Sequence, residues 1–399
     1  MGGRFLPLVV TLAIQALASM ASFTVPVLAP AAAADLGVPA AVVGVFVALI
    51  YFSAMLTSLL SGAWVLRFGA IRVSQICLAL CAAGLACAAT GTLAGMVLSA
   101  VLIGAGYGPV TPASSHILVR TTPSHLMGFM FSLKQTGVPL GGVLAGALVP
   151  SLVETTSWQG AAGAVALACA VMLVLAQSCR TPFDDDRQPG HRARGNPLQP
   201  LARVFAHSAI RDLALCSFFF SAMQLCLTTY LVTYLTHEYG LGLTAAGLVL
   251  AVTQGAGVGG RLLWGWIADR WLAPRRLLPL LALAMAAAAG LTATFSPDWP
   301  LLAVMVVSAC FGATAIGWNG VYLAEVARLA PPGTAGLYTG GTLFFTYFGV
   351  VAGPPLFALV AEANGSLASG YALFGGLLLV TGLLLGHFAR RPVEVSEPA

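Results

Sequence analysis

The chain has 399 residues, of which 59% are hydrophobic and only 8% charged, with a formal net charge of +5. Water-soluble domains carry about 25% charged residues, so this much apolar surface excludes a soluble fold and makes lipid the solvent. The positive balance alone would suit a nucleic-acid partner, but the distribution of the charges along the chain excludes that reading.

A helix needs about 20 mostly apolar residues to cross the hydrocarbon core of a bilayer. Such runs place spans near 5–30, 41–66, 73–93, 95–119, 127–151 and 159–178, then near 211–236, 244–268, 277–296, 300–326, 334–361 and 370–389. The first run follows Arg4 but is too long for the apolar core of a signal peptide. It carries Thr11, Gln15, Ser19 and Ser22 at spacings that form one polar stripe, which faces either a cavity or a neighbouring helix. Gln15 is the candidate cavity residue of the stripe. The loop after span 2 begins at Gly62 and carries Arg67 and Arg72, and span 4 carries His116 near its end. That histidine suits either a proton carrier or an ordinary hydrogen-bonded side chain.

Span 5 contains Lys134, followed by Gln135, Gly137, Pro139, Gly141 and Gly142. Residues 180–210, with Asp184, Asp185, Asp186, His191, Arg192 and Arg194, read as a solvated, semi-flexible linker. Span 7 aligns Phe220, Gln224, Leu227, Tyr230 and Tyr234, where a cavity lining competes with an interfacial aromatic belt. Span 8 contains Gln254 and Arg261 and runs into Gly265, Asp269 and Arg270. Span 10 holds Trp318 and Asn319 between glycines, placed to close against a substrate. Span 11 carries Gly353, Pro354 and Pro355. Seven of the eight cysteines lie in apolar runs and Cys179 at a loop edge, without metal or disulfide spacing. They read as small buried hydrophobes.

If the spans alternate, Arg67, Arg72, Arg120, Arg180, Arg187, Arg192, Arg194, Arg203, Arg211, Arg270, Arg275, Arg276 and Arg328 share one side with the termini and their Arg4, Arg390 and Arg391. The opposite loops carry only acids, among them Asp35, Glu154, Glu238, Asp298 and Glu362. The positive-inside rule then makes both termini cytoplasmic and accounts for the net charge without nucleic acid.

The loop after span 8 repeats the loop after span 2. Gly62 answers Gly265, Arg67 answers Arg270 and Arg72 answers Arg275, at one constant offset. Gly104 likewise answers Gly312, and Arg120 answers Arg328. Two related halves of six helices put a binding site at their interface near the midplane. The expected organisation is an all-α membrane protein of twelve transmembrane helices: a bundle over 1–179, a linker over 180–210, and a second bundle over 211–399.

At this point the sequence resembles the major facilitator superfamily, whose cytoplasmic signature of glycine, three residues and Asp-Arg stands at Gly265, Asp269 and Arg270. In the first copy Leu66 occupies the place of the Asp, while Arg67 and Arg72 remain. Gly137-Val-Pro139-Leu-Gly141-Gly142 is similar to the fifth-helix motif of the antiporter branch. The stretch from Arg261 to Asp269 is similar to helix 8 of monocarboxylate and oxalate porters, whose arginine holds the substrate carboxylate. Gly257 stands where the monocarboxylate porters place an acid one turn earlier. The resemblance implies a two-bundle carrier with helices 5 and 8 facing across a central cavity.

Lys134 and Arg261 are the two basic residues outside the loops and termini. A charge at a helix centre costs about 2.5–3.5 kcal/mol on insertion scales, so such residues mark a pathway or a partner. Both lie roughly 10–12 Å inside the basic boundary at ~1.5 Å per residue, without a mid-span carboxylate to neutralise them. An anionic substrate is the simplest counter-charge, and guanidinium suits carboxylate through two parallel hydrogen bonds. The competing readings are that Lys134 snorkels to the interface and that Arg261 forms a structural lock with Glu325.

The expected function is secondary transport of a small organic anion by alternating access, with a substrate site of Arg261, Lys134, Gln15, Gln224, Tyr230, Trp318 and Asn319. Gly62, Arg67, Arg72, Gly265, Asp269, Arg270, Gly137 and Pro139 would serve gating. Proton-coupled efflux of drugs or other neutral hydrophobic compounds is the alternative. No HExxH, GxSxG, phosphate loop or carboxylate pair points to an enzyme, and no cofactor or metal is expected. The expected partners are the substrate, the lipid bilayer and, depending on coupling, a proton or a counter-anion. A monomer in a bacterial inner (plasma) membrane is the expected setting.

Overall fold

The computed structural model describes residues 5–37, 42–190, 196 and 198–388. Arg4, His191, Arg192, Arg194, Arg390 and Arg391 lie outside the described residues. The described residues are almost all in helices joined by short turns. α1 (Leu6–Leu36) is one full span. The second span is two pieces, α2 (Val42–Ser58) and α3 (Ser61–Phe68), bent by 57°. α4 (Ala70–Ala88) and α5 (Leu93–Thr121) follow. The fifth span is also divided, into α6 (Met127–Gln135) and α7 (Gly137–Thr155), and α8 (Trp158–Ala176) completes the first half. Short α9 (Arg180–Phe183) and α10 (Gln199–Ala206) lie in the connection. The second half runs through α11 (Ser208–His237), α12 (Leu243–Arg270) and α13 (Pro274–Thr292). Its tenth span is divided into α14 (Leu301–Ala315) and α15 (Asn319–Leu329), and α16 (Ala335–Asn364) and α17 (Leu367–Phe388) close the chain.

Among the described residues, eleven segments are long and apolar enough to cross a membrane, and the bent α2–α3 pair makes a twelfth. Side chains such as Val143, Leu167, Val174, Leu302 and Leu383 point outward and exposed, as lipid-facing positions do. α1, α2, α4, α5, α7 and α8 pack on one another, and α11 to α17 form a second group.

Three spans are broken within the bundle. At the α2–α3 bend, hydroxyls of Thr57, Ser58 and Ser61 donate to the carbonyls of Ser53, Met55 and Ser58. Such back-bonding bends helices. At the α6–α7 break, Pro139 has no N–H, so the Gln135 carbonyl four residues earlier has no helical donor. The third break falls at Ile316–Trp318, between α14 and α15.

The two halves meet through α2, α3, α5 and α6 on one side and α12, α15 and α16 on the other. The end carrying the arginine loops is here termed the basic side. Near that side, a Cβ on Gly62 would lie 2.5 Å from the Leu337 Cα, and one on Gly265 would lie 2.5 Å from Ser132 Oγ. Both motif glycines therefore permit close approach between halves. The Asp269 carboxylate accepts from the amides of Gly128 (2.8 Å) and Phe129 (2.7 Å) at the N-terminus of α6. This places an anion at the positive end of a helix in the opposite half. Arg67 lies 5.5 Å from the Phe68 ring centroid, and Arg270 is exposed.

The connection differs from the solvated linker expected above. Its start is docked on the first half, because Asp184 caps α4. The carboxylate accepts from Ile71 N (2.7 Å) and Arg72 N (3.1 Å). Gly69, at φ +94°, leaves room for it, since a Cβ there would lie 2.2 Å from Asp184 Cγ. Burial raises the Asp184 carboxyl above the usual range, against the opposing effect of these amides. Arg120 pairs with Asp185 (2.6 Å) and Asp186 (2.7 Å), and its hydrogen bond holds the Asp185 carboxyl below the usual range. His116 Nε2 lies 2.6 Å from Asp186 Oδ2, so this histidine is occupied by the linker. Further on, α10 buries Pro200 and Val204 while Phe205 makes an edge contact with Phe345 of α16. The cysteines among the described residues are free thiols, all buried except half-buried Cys87 and exposed Cys310.

Two outcomes follow from these contacts. Asp184→Ala removes a helix cap worth about 1 kcal/mol and frees the linker start, so limited trypsin digestion should cut after exposed Arg187 faster than in the parent. Asp269→Asn removes charge-assisted bonds between the halves, each worth roughly 1.5–3 kcal/mol, and should lower the melting temperature of the detergent-solubilised protein.

Candidate functional site

Lys134, at the end of α6, is 1% exposed. Its Nζ donates to Gln15 Oε1 (2.8 Å), Gln135 Oε1 (3.0 Å) and, at longer range, Thr111 Oγ1 (3.4 Å). Three donors meet three neutral acceptors. The ammonium does not snorkel, since α1, α5 and α6 enclose it. Gln15 is oriented for this role by Thr111, whose hydroxyl donates to the same oxygen (3.0 Å), while its own amide donates to Ser19 (3.3 Å). The stripe on α1 thus faces α5 and α7. Gly137 allows that approach, because a Cβ there would touch Gln15 Cβ and the Leu12 carbonyl at 3.0 Å.

Arg261, on α12, is 3% exposed. Its Nη1 donates to the Gln135 carbonyl, and its Nε donates to the Ile316 carbonyl (3.1 Å). Both acceptors lie at helix breaks, one in each half. Pro139 releases the first. For the second, Gly257 and Gly260 bring α12 against the α14–α15 break: a Cβ on Gly257 would lie 2.6 Å from Ile316 Cβ. An acid at position 257 has no space here, so backbone carbonyls stand in for it. Glu325 pairs instead with Arg328 (3.3 Å). Among the described residues no carboxylate forms an ion pair with Lys134 or Arg261, and Nη2 of Arg261 has no protein acceptor.

Gln135 joins the two cations. Its side-chain oxygen accepts from Lys134, its backbone carbonyl accepts from Arg261, and its amide donates to Asn319 Oδ1 (2.9 Å) across the interface between halves. Asn319 therefore belongs to this network, as does Gln15.

The remaining aromatic candidates stand apart from the network. Trp318 is fully buried, edge-on to Phe220 and Tyr322, and its indole N–H donates to Gln224 Oε1 (3.1 Å). It braces Gln224 from behind and leaves that amide half-buried. Tyr230 stacks on Phe357 at 4.8 Å and donates to the Pro354 carbonyl (2.9 Å), a contact internal to the second half. Gln254 is exposed on α12, seven residues from Arg261.

One group has no sequence signal. Tyr51 (α2), Tyr107 (α5) and Tyr347 (α16) meet with all three ring centroids 6.2 Å apart, two rings from one half and one from the other. Tyr107 lies one helical turn from Thr111 on α5, whose hydroxyl bonds both Gln15 and Lys134. Thr111 was equally unmarked, being one hydroxyl among several in span 4.

Known proteins agree with this architecture. The chain is 21% identical over 322 residues to the hexuronate transporter of Bacillus subtilis, covering 76% of this chain and 74% of that protein. It is 26% identical over 307 residues to the gentisate transporter of Corynebacterium glutamicum, covering 72% and 66% respectively. In three dimensions it is similar to the fucose:proton symporter of E. coli, with a TM-score of 0.73, 15% identity, and coverage of 98% of this chain and 100% of that one. Residues 11–354 match the Major Facilitator Superfamily, so twelve apolar spans in two contacting halves, a glycine–Asp–Arg loop and this match agree: the chain belongs to that superfamily of transporters.

Proposed function

We propose that this chain moves a small organic carboxylate across the bacterial plasma membrane, binding it between the halves at Arg261 and Lys134. The observation that carries the reading is a pair of buried cations, joined through Gln135, with only neutral acceptors around them. The anionic substrates named for the hexuronate and gentisate transporters support it. With both termini on the cytoplasmic side, as the arginine distribution argues, the contacts of Asp269, Gly62 and Gly265 close the carrier toward the cytoplasm.

The chemistry follows from the donors. A carboxylate meets Nη2 of Arg261 first, then takes Nη1 as the second arm of a bidentate pair. That exchange releases the Gln135 carbonyl. Lys134, linked to the same residue, lends its charge to the bound anion. Gln135 also holds Asn319 across the interface, so occupancy of the site loosens a contact that keeps the basic side shut. Substrate binding is thereby coupled to the choice between outward- and inward-facing states.

Uptake of radiolabelled carboxylates into proteoliposomes tests the site. Arg261→Gln and Lys134→Gln should each lower kcat/KM by at least about thirtyfold, the lower edge of the ~2–5 kcal/mol lost when a buried charge loses its partner. Arg261→Lys should fall almost as far, because an ammonium lacks the planar fork. Normal transport by both glutamine variants would make the cations structural and bring efflux of neutral compounds forward. Gln135→Leu, measured in the same assay, should reduce transport more than binding, since it cuts the link from site to interface.

A further inference from the structure

We propose that Tyr51, Tyr107 and Tyr347 form the wall opposite Arg261 and select a ring-bearing, hydroxylated monocarboxylate; this deepens the carboxylate reading above and rests on it. The cationic end of the site offers little more than one carboxylate position. All three Lys134 donors already have neutral acceptors, and Arg261 has one nitrogen without one. At this site a second carboxylate would find no further cation, since the two buried here are Lys134 and Arg261.

The other end is aromatic. Tyr107 lies roughly 21 Å from the basic end of α5 and Tyr347 roughly 18 Å from that of α16, against about 13 Å for Arg261 along α12, at ~1.5 Å per residue. Tyr107 and Tyr347 therefore stand further along their helices from the basic side than Arg261 does. Tyr107 connects the two levels, lying one helical turn from Thr111 on α5, whose hydroxyl donates to Gln15 and accepts from Lys134. The three rings meet at 85°, 36° and 54°, so they present both faces and edges. Such a surface packs a flat ring by offset or edge contact. Tyr107 and Tyr347 are nearly buried and Tyr51 half-buried, yet none of the three hydroxyls is among the fully enclosed polar atoms lacking a partner. Each retains open surface and can donate and accept. A ring carrying a hydroxyl opposite its carboxylate would meet Arg261 at one end and a tyrosine hydroxyl at the other. Acetate or an inorganic anion would reach only the cation.

Because Tyr347 comes from the second half and its two neighbours from the first, a substrate held on this wall also touches both moving bodies. Ring recognition and closure are then one event at this site.

The test is competition for uptake in proteoliposomes, using 4-hydroxybenzoate, benzoate, cyclohexanecarboxylate and acetate against the parent and Tyr51→Phe, Tyr107→Phe and Tyr347→Phe. The parent should bind in the order given. At least one phenylalanine variant should lose the preference of hydroxybenzoate over benzoate by about three- to tenfold, the effect of one hydrogen bond. Tyr107→Leu should narrow the gap between benzoate and acetate. Equal competition by all four acids, abolished by Arg261→Gln, would overturn the tyrosine wall and leave the carboxylate site standing. Absence of competition by any acid would overturn both. Retained hydroxybenzoate preference in all three phenylalanine variants would also overturn the wall, and a monodisperse elution profile separates these results from misfolding.

Discussion

Two cations buried in a bilayer without a carboxylate constrain most of the polar architecture. Each carries a cost of about 2.5–3.5 kcal/mol at a helix centre, and the protein meets it with oriented dipoles. Gln15, Thr111 and the Gln135 side chain turn their oxygens toward Lys134. The carbonyls of Gln135 and Ile316 turn toward Arg261. Those carbonyls are available only because the helices break there, one through the missing N–H of Pro139. Gly137, Gly257 and Gly260 then let the broken segments and their partners come within reach. Helix breaks, glycines and amides belong to one electrostatic solution.

A solution made of neutral dipoles differs from a salt bridge in what it leaves undone. It stabilises the charge without cancelling it, so the site keeps its attraction for an anion. It also places a neutral acceptor, a backbone carbonyl, where a charged competitor, a carboxylate, would arrive. The same residue that offers this carbonyl reaches across to Asn319. A single glutamine thus joins both cations to the interface between the halves.

The fold was legible because a bilayer makes it one-dimensional. Apolar runs mark spans, and arginines mark one set of loops, whatever the packing. Lys134 and Arg261 were legible for the same reason, since a charge in an apolar run has few ordinary explanations. Their surroundings were not. The stripe on α1 announced a polar face but not that Lys134 was its partner. Pro139 contained the signal of the freed Gln135 carbonyl, though only the packing of α12 shows who takes it. Tyr51, Tyr107 and Tyr347 come from three spans and share no spacing. Trp318 and Tyr230 looked like lining because an aromatic in mid-span has many possible neighbours; their indole and hydroxyl turned out to be committed to Gln224 and Pro354. The linker misled for a related reason, since the same acids suit water and the N-terminus of α4 equally well.

The latch on the basic side is lopsided. Asp269 grips the start of α6 through two amides, whereas the matching position of the repeat is Leu66, beside a seam where Gly62 lies close against Leu337. The two repeats therefore hold the opposite half in different ways, one by charge at a helix N-terminus and the other by the close packing of a glycine.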